Sequence, residues 1–313
     1  MAGHKKWGEI RHKKDAQGKK SVLIFGGDGW LAQRFHRDLE NYGFHSWLAM
    51  RSIDITDSCM VGKALDNLNP MFAINAAGKT GRPNIDWCEC EAHKEETWYS
   101  NVIGPLVLAE ECAARNITLV HLSSGCIFDG ASPRPGGFTE DDIPNPVSFY
   151  AETKVEAEKV LKEFNVLTLR LRMPVDGSPS PRNLITKLAG YPKVIDVENS
   201  ITIIDGLVSA AARLMHLGRI GVYNVVNPGS VKHRDILYWY REIVDPTHKY
   251  ELILPEELLS LGLATAGRSN CILSTDKLIS DHVYLPNAEL MIRCCLEKYT
   301  QEWPNYNLGN IGS

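Results

Sequence analysis

The sequence lacks long apolar runs. No stretch of its 313 residues approaches about 18 consecutive apolar positions, the length of a membrane-spanning helix, so we expect no membrane span. The N-terminus also lacks the apolar segment of a signal peptide, and no export signal is expected. Eight cysteines spread over this length do not form a disulfide framework. We therefore expect free thiols and a cytoplasmic protein.

Metal-ligand spacing is also missing. The ten histidines show no pattern of paired ligands, and Cys88 and Cys90 form a C-x-C with no second ligand pair at a suitable distance. Internal repeats and low-complexity tracts are absent too. We predict no metal site, and we exclude fibrous and disordered classes of protein.

The composition is that of a globular protein, with 44% apolar and 23% charged residues. The net charge of −4 hides an asymmetry, because residues 1–20 carry +5 and the remainder carries −9. We expect this basic N-terminal extension to be disordered. A basic tail can bind nucleic acid, but the acidic body opposes that, so we predict no nucleic-acid partner.

Short apolar strands alternate with helices over the first half of the chain. The candidate strands are 21–25, 44–50, 71–75, 117–122 and 166–171, with helices at 30–42, up to 68, 93–115 and 149–164. This rhythm predicts an α/β fold, a Rossmann-type doubly wound parallel sheet. After Arg172 the rhythm breaks at a proline-rich loop, 173–182. We predict a dinucleotide-binding domain over 21–172, with a later strand near 220–227, and mainly a smaller substrate-binding cap over 173–313.

A glycine-rich turn follows the first strand. Gly26, Gly29 and Ala32 have the G-x-x-G-x-x-A spacing, and a helix begins at Trp30 and Leu31. Glycine lets a pyrophosphate approach the backbone, and the helix N-terminus offers free N–H groups and a positive dipole end. The turn lies between a strand and a helix, as dinucleotide binding requires. We predict a dinucleotide site here.

The residues after the second and third strands bear on the choice of cofactor. Arg51 stands where NAD enzymes carry an acidic residue, and it could pair with a 2′-phosphate. We therefore predict NADPH, and NADH remains the alternative. Asp54 and Ile55 follow, where an adenine edge could be held. The small residues Ala76, Ala77 and Gly78 (the range 76–78) leave room for the cofactor after the third strand.

A tyrosine and a lysine stand four residues apart at the start of a helix. Tyr150 and Lys154 therefore share one helix face, and an ammonium near the phenol lowers the pKa of the tyrosine. The phenol can then give or take a proton near neutral pH. Ser124 ends the preceding strand, and its hydroxyl can bind the same carbonyl oxygen.

These motifs occur together in one known group. The segments GGDGWLA, INAAG, SNVIGP, LSSGCIFDG, SFYAETK and LRLRMP resemble extended short-chain dehydrogenase/reductases of the dTDP-4-dehydrorhamnose reductase branch. The segments AAGKTGRPNIDWCE, SGCIFDG and PRNLITK, with the later NPG and RSN, resemble the nucleotide-rhamnose synthase/epimerase-reductases. The resemblance covers roughly residues 21–300.

The resemblance implies specific roles. Ser124, Tyr150 and Lys154 would form the reductase triad, with Asn101 helping to hold the lysine. NADPH would reduce the C4 ketone of a nucleoside-diphosphate 4-keto-6-deoxyhexose. Cys126 and Lys187 match the cysteine and lysine of the epimerase-reductases, which would move protons at C3 and C5. A thiol next to the active-site serine suits this task if its pKa falls toward 7. Ser124 replaces the threonine that is usual at this position in the branch. The pair Gly125-Cys126 replaces the Asp-Tyr pair of the simple reductases.

Further polar residues are candidates for substrate binding. They lie in the GRPN loop, around the proline-rich loop and in the late RSN segment, and they are Arg82, Asn84, Arg172, Asn183, Arg268 and Asn270. A diphosphate or a sugar hydroxyl group would be their target. A stabilising role on the protein surface is the alternative for Arg172 and Asn183.

Two other functions remain open. One is a 4-reductase alone, with epimerisation performed by another protein. The other is a non-catalytic NADP-binding regulatory subunit, because the methionine adenosyltransferase β-subunit resembles this branch and keeps a similar Tyr/Lys pair. Such a subunit has no need for Cys126 and Lys187. The first 17 residues resemble the start of YebC-type transcriptional regulators. A homodimer is common in this fold and is a candidate assembly.

Overall fold

A parallel sheet forms the centre of the molecule. The structure, a computed structural model, describes residues 18–302. The strands are β1 Lys20–Phe25, β2 Phe44–Leu48, β3 Phe72–Asn75, β4 Thr118–Ser124, β5 Val166–Leu171, β6 Pro174–Val175, β7 Lys193–Ile195, β8 Glu198–Ile203, β9 Gly221–Asn224, β10 Asn227–Lys232 and β11 Glu251–Ile253. Six of them pair in the order β2-β1-β3-β4-β5-β9, all parallel. The predicted doubly wound parallel sheet is confirmed.

Helices cover both faces of this sheet. They are α1 Trp30–Asp38, α2 Ser58–Leu68, α3 Asp86–Glu89, α4 Glu91–Trp98, α5 Gly104–Ala113, α6 Phe149–Leu161, α7 Leu184–Gly190, α8 Ile204–His216, α9 His233–Ile243, α10 Pro255–Ser260, α11 Asp276–Ser280 and α12 Ala288–Glu302. Phe35 of α1 and Leu207 of α8 pack into the core on one face. Leu65 of α2 and Leu108 of α5 pack into the core on the other. Strands buried on both faces read as continuous apolar runs, which made them visible in the sequence.

The later part of the chain has its own core. Strands β10, β8 and β6 form a three-stranded sheet, and β11 pairs with β7. Apolar side chains of α7, α9 and α12, including Ile185, Leu237 and Leu296, pack against it. Three strands here were not predicted, β8, β10 and β11. The loop predicted over 173–182 contains the two-residue strand β6.

The helix predicted over 93–115 is divided. A π-helical segment, Tyr99–Ile103, separates α4 from α5. Pro105, at the start of α5, has no N–H to donate to the preceding turn, so the backbone cannot continue as a regular α-helix. This segment carries Asn101, which is fully buried.

The N-terminal extension begins to join the fold before its predicted end. Lys20 already belongs to β1, and Lys19 forms an ion pair with Glu40 at 2.9 Å. Residues 1–17, which hold the rest of the extension predicted to be disordered, lie outside the described residues. Between residues 18 and 302, no helix is both long and apolar enough to cross a membrane.

Candidate active site

The glycine-rich turn lies where the strand order changes direction, between β1 and β3. Gly26 has φ +83°, and a Cβ there would lie 2.6 Å from the backbone nitrogen of Ala77, so only glycine fits. The Gly29 N–H donates to the Gly26 carbonyl at 2.8 Å, and α1 begins at the next residue. Trp30 and Leu31, both half-buried, open that helix. In open parallel sheets this switch point is where ligands bind.

Some of the residues after β2 already make contacts within the protein. Arg51 lies in an exposed turn, and its nearest acidic partner is Asp28 at 3.3 Å. One Asp54 oxygen accepts from the N–H and hydroxyl of Thr56 and closes a turn. Ile55 is buried. Of Arg51, Asp54 and Ile55, Arg51 is therefore the residue whose charge is largely available to bind a ligand.

The reductase residues are brought together at the end of β4 and the start of α6. The Ser124 hydroxyl is close enough to the Tyr150 phenol to act on its pKa, and it accepts from the Cys126 N–H at 3.2 Å. The Lys154 ammonium lies 5.9 Å from the centre of the Tyr150 ring. Ser148 caps the helix, because its hydroxyl accepts from the N–H of residue 151 at 3.2 Å. Tyr150, Lys154 and Cys126 are all buried.

Burial controls the proton affinities of these groups. It raises the pKa of Tyr150 well above its usual range, and the nearby thiols raise it further. It lowers the pKa of Lys154. Burial also raises the pKa of Cys126, against the opposing effects of Ser124 and nearby cations. The expected lowering of the Tyr150 pKa by Lys154 is therefore wrong, because desolvation outweighs the neighbouring charges. The condition stated for Cys126, a pKa that falls toward 7, is not met for the same reason.

Asn101 connects the loop after β3 to α6. Its amide donates to the Lys79 carbonyl at 2.9 Å and to the Thr153 hydroxyl at 3.1 Å, and its oxygen accepts from the Lys79 N–H at 2.8 Å. A Cβ at residue 78 would lie 3.6 Å from the Lys154 ammonium. Asn101 therefore fixes the backbone that faces the lysine rather than contacting the lysine itself.

We call the region around Ser124, Cys126, Tyr150 and Lys154 the pocket. Lys187 is a half-buried residue of α7. Burial and the charges of Arg182 and Arg268 lower its pKa to about 8. Arg182 is also close enough to Tyr150 for its charge to act on the phenol. Arg182 therefore links Lys187 to the pocket electrostatically, and the catalytic role of Lys187 stays a prediction.

Two predicted substrate residues already make hydrogen bonds within the protein interior. The Arg172 guanidinium is buried and donates to Asn199 Oδ1 and to Ser269. Asn183 is fully buried and caps α7, with its oxygen accepting from the Ile185 N–H at 3.2 Å. These contacts are those of the stabilising alternative, and the assignment of both residues to substrate binding stays a prediction.

The other predicted substrate residues lie around the pocket mouth. Arg268 pairs with both oxygens of Asp86, at 2.9 and 2.6 Å. The Asn84 oxygen accepts from the Asp86 N–H at 2.9 Å, and Asn270 donates to the Arg268 carbonyl at 2.9 Å. Arg82 is exposed. These residues form a rim that joins the loop after β3 to the segment 264–270.

Two charged residues near this site, Arg182 and Glu158, were not predicted from the sequence. Arg182 enters the pocket from the turn before α7, although its segment PRNLITK was recognised as a motif. Glu158 is buried and pairs with Arg170 at 2.7 Å, and it accepts from the Ser123 hydroxyl at 2.6 Å. It lies four residues after Lys154, and this spacing on α6 is the signal that could have identified it. Between residues 18 and 302 no cluster of side chains is suited to bind a metal ion.

Comparison with known proteins places this site in a family. A family model described as the RmlD substrate binding domain matches residues 20–190, more than half of the chain. The bifunctional dTDP-4-dehydrorhamnose 3,5-epimerase/dTDP-4-dehydrorhamnose reductase of Arabidopsis thaliana is 39% identical over 275 residues, covering 84% of this chain and 89% of that protein.

Solved structures agree with this match. The UDP-rhamnose synthase of Acanthamoeba polyphaga mimivirus is 33% identical, with a TM-score of 0.83, and covers 90% of this chain and 100% of its own. The dTDP-4-dehydrorhamnose reductase of Bacillus anthracis, solved with NADP, shares the fold with a TM-score of 0.75 and 20% identity, covering 91% and 98%. The chain therefore belongs to the RmlD substrate-binding domain family, which confirms the resemblance drawn from its motifs.

Proposed function

We propose that this protein uses NADPH to reduce C4, and its own side chains to epimerise C3 and C5, of a nucleoside-diphosphate 4-keto-6-deoxyhexose. The product is a nucleotide L-rhamnose or a similar 6-deoxy sugar. The observation that carries the proposal is that Cys126 lies beside Ser124 and Tyr150, while Arg182 acts electrostatically on both Tyr150 and Lys187. The Arabidopsis relative has both activities in its name, which supports the same pairing here.

The residues present fit a dinucleotide. A Cβ at Gly26 would overlap the backbone of Ala76 and Ala77, so glycine lets this turn pack against the end of β3 at the switch point, where a pyrophosphate would bind. The N-terminus of α1 offers its N–H groups to the same place. Arg51 would pair with the 2′-phosphate that distinguishes NADPH from NADH. The bound cofactor supplies the hydride for C4.

The triad residues act on the C4 oxygen. Because its pKa is raised, Tyr150 holds its proton at neutral pH and can donate it to the oxygen as the ketone is reduced. The Ser124 hydroxyl donates to the same oxygen, since Ser124 Oγ already accepts from the backbone. Lys154, supported by Glu158, keeps a positive charge behind the tyrosine.

Epimerisation needs a base on one face of the sugar and an acid on the other. Lys187, with a pKa of about 8, carries a useful fraction of neutral amine near neutral pH and can take a proton from C3 or C5. Cys126, with its raised pKa, remains a thiol and can return a proton to the opposite face. The thiolate and ammonium then exchange protons with solvent. We therefore assign Lys187 as the base and Cys126 as the acid.

The remaining assignments follow from the same picture. Residues 21–172 with β9 would hold the cofactor, and the later residues would form mainly the cap over the sugar. Arg82 and Arg268 at the pocket rim would meet the diphosphate.

The eight cysteines are all free thiols, which suits the cytoplasm. A homodimer is the assembly that we propose.

The test is incubation with UDP- and dTDP-4-keto-6-deoxyglucose and NADPH in D₂O, followed at 340 nm and by NMR. We expect NADPH oxidation with deuterium at C3 and C5, and the faster nucleotide identifies the substrate. Oxidation without deuterium would leave a 4-reductase only. Tight NADPH binding with no oxidation would favour a regulatory subunit.

A cysteine variant tests the epimerase assignment. Cys126→Ala should lose deuterium incorporation and still reduce a ketone that has already been epimerised. The matched control is Cys112→Ala, which removes a buried thiol from the core far from the triad and should keep both activities. Full L-sugar formation by Cys126→Ala from the unepimerised ketone would contradict the role given to this thiol.

A further inference from the structure

In the part of the chain that the structure describes, one nitrogen of the Arg182 guanidinium, Nη1, is hydrogen-bonded, and its other two nitrogens are not. Arg182 lies in the turn before α7, and its Nη1 donates to the Gly81 carbonyl at 3.1 Å and to the Thr80 hydroxyl. Both acceptors belong to the loop that follows β3. These two bonds use both hydrogens of Nη1, and they fix the half-buried guanidinium against the edge of the parallel sheet.

The other donors of Arg182 point to a missing acceptor. Within residues 18–302, its Nε–H and its two Nη2–H groups have no hydrogen-bond acceptor, and no carboxylate pairs with it. Other buried or half-buried guanidiniums have more of their donors satisfied, since Arg170 pairs with Glu158, Arg268 pairs with Asp86, and Arg172 donates from Nε, Nη1 and Nη2 to neutral acceptors. A half-buried cation without a counter-ion is costly, and such groups are typical of sites that receive an anion.

The surroundings of Arg182 indicate which anion. Its charge acts on Arg82, on the Tyr150 phenol, on Cys88 and on Lys187. The loop that holds Arg182 also passes the triad, since a Cβ at residue 78 would lie 3.6 Å from the Lys154 ammonium. Tyr150 must contact the C4 oxygen of the sugar in any reduction, so the guanidinium lies within electrostatic reach of the reacting end of the pocket. The diphosphate is attached at C1, across the hexose ring from C4, and the rim residue Arg268 remains for it.

We propose that Arg182 is a catalytic residue whose free Nε–H and Nη2–H groups bind the C4 oxygen as the enolate forms. The C–H bond at C3 or C5 breaks and its proton passes to the base. Its electron pair forms the C=C bond, and the C4 carbonyl becomes C–O⁻ beside the guanidinium. Reprotonation restores the ketone with the opposite configuration, and no co-reactant is consumed. This inference rests on the proposed epimerase function.

Such a contact is strongest in the transition state. A ground-state carbonyl oxygen carries little charge, whereas the enolate oxygen carries a full one, and a fixed cation in a partly dry pocket stabilises the second far more. Removing one donor of this kind typically slows the chemical step about 100- to 1,000-fold. A residue that only bound the diphosphate would instead change the KM and the affinity for the nucleotide.

The experiment compares the wild-type protein with Arg182→Gln and Arg182→Lys, using the 4-keto substrate in D₂O without NADPH. We expect Arg182→Gln to lower the kcat of deuterium incorporation at C3 and C5 about 100-fold or more, with UDP affinity within about threefold of wild type. Arg182→Lys should recover part of the rate. The control is Arg219→Gln, a half-exposed arginine paired with Asp281 away from the pocket, which should behave as wild type.

The outcomes distinguish a failure of the epimerase function from a failure of the catalytic role given to Arg182. No deuterium incorporation by the wild-type protein overturns the epimerase function and this inference with it. If the wild type exchanges and Arg182→Gln keeps its kcat within about threefold, the catalytic role is wrong. Loss of UDP binding at an unchanged kcat would make Arg182 a diphosphate ligand instead. Unchanged NADPH binding and melting temperature in each variant verify that the fold is intact.

Discussion

Replacing Glu158 by glutamine tests how α6 is held against the sheet. The substitution keeps the shape of the side chain and removes its charge. Arg170 is then left with about 4% of its side chain exposed and no carboxylate to neutralise it. Breaking a buried pair from one side costs about 3–5 kcal/mol, because the remaining charge has lost both water and its partner.

This cost converts into a measurable melting temperature. Unfolding entropy is about 2.1 cal/mol/K per residue, so a chain of 313 residues has about 0.66 kcal/mol/K. We therefore expect Glu158→Gln to lower the melting temperature by about 5–8 °C in a circular dichroism experiment. The double variant Glu158→Gln with Arg170→Met should recover part of the loss, since the unpaired charge is gone.

A control lies on the same helix. Glu156 pairs with Lys159 at 2.6 Å, but both side chains are well exposed, so Glu156→Gln should cost less than about 0.5 kcal/mol. Equal melting temperatures for Glu158→Gln and Glu156→Gln would refute the reasoning. Glu158 also raises the pKa of Lys154 against burial. NADPH oxidation by Glu158→Gln should therefore lose its alkaline limb at a lower pH than in the wild type.

Three further predictions concern single positions. Gly26→Ala should abolish NADPH binding, measured by fluorescence titration, because its Cβ would overlap the backbone of residues 76–77. Ser148→Ala should lower the free energy of unfolding by about 1 kcal/mol in urea, since α6 loses its cap; no change would mean that the cap contributes little. Burial lowers the pKa of His233 to about 4. The unfolded chain binds the proton more readily, so stability should fall as the pH drops from about 6.5 to 4. His233→Gln should flatten this part of the stability profile, and an unchanged slope would contradict the assignment.

The central sheet was predictable because its strands are buried on both faces. Strands such as β1 and β5 show nearly unbroken apolar runs, and the helices between them have a regular apolar face. The strand β8 was missed for the opposite reason. Its buried residues include Asn199, Ser200 and Thr202, which make hydrogen bonds to distant segments rather than apolar contacts. Its apolar residues, Ile201 and Ile203, pack into the core of the later part of the chain, but two positions are too few to identify a strand.

The site was predictable where its residues are close in sequence. The spacing of Tyr150 and Lys154 on one helix is a local property, and the structure keeps them together. The partners of Arg172, Asn199 and Ser269, lie 27 and 97 residues away, so no local pattern could predict these contacts. The pKa directions of the triad depend on burial by the whole fold, which no short motif records.

The helix α6 carries Tyr150, Lys154 and Glu158 at intervals of four residues. Each residue of an α-helix is rotated by about 100° from the one before it, so an inserted or deleted residue between positions 150 and 158 would turn one end of this face away from the sheet. The proton donor Tyr150, the ammonium of Lys154 and the carboxylate of Glu158 therefore depend on the same helical spacing. Insertions in the loops on either side of α6 preserve this face, whereas within the helix only substitutions do.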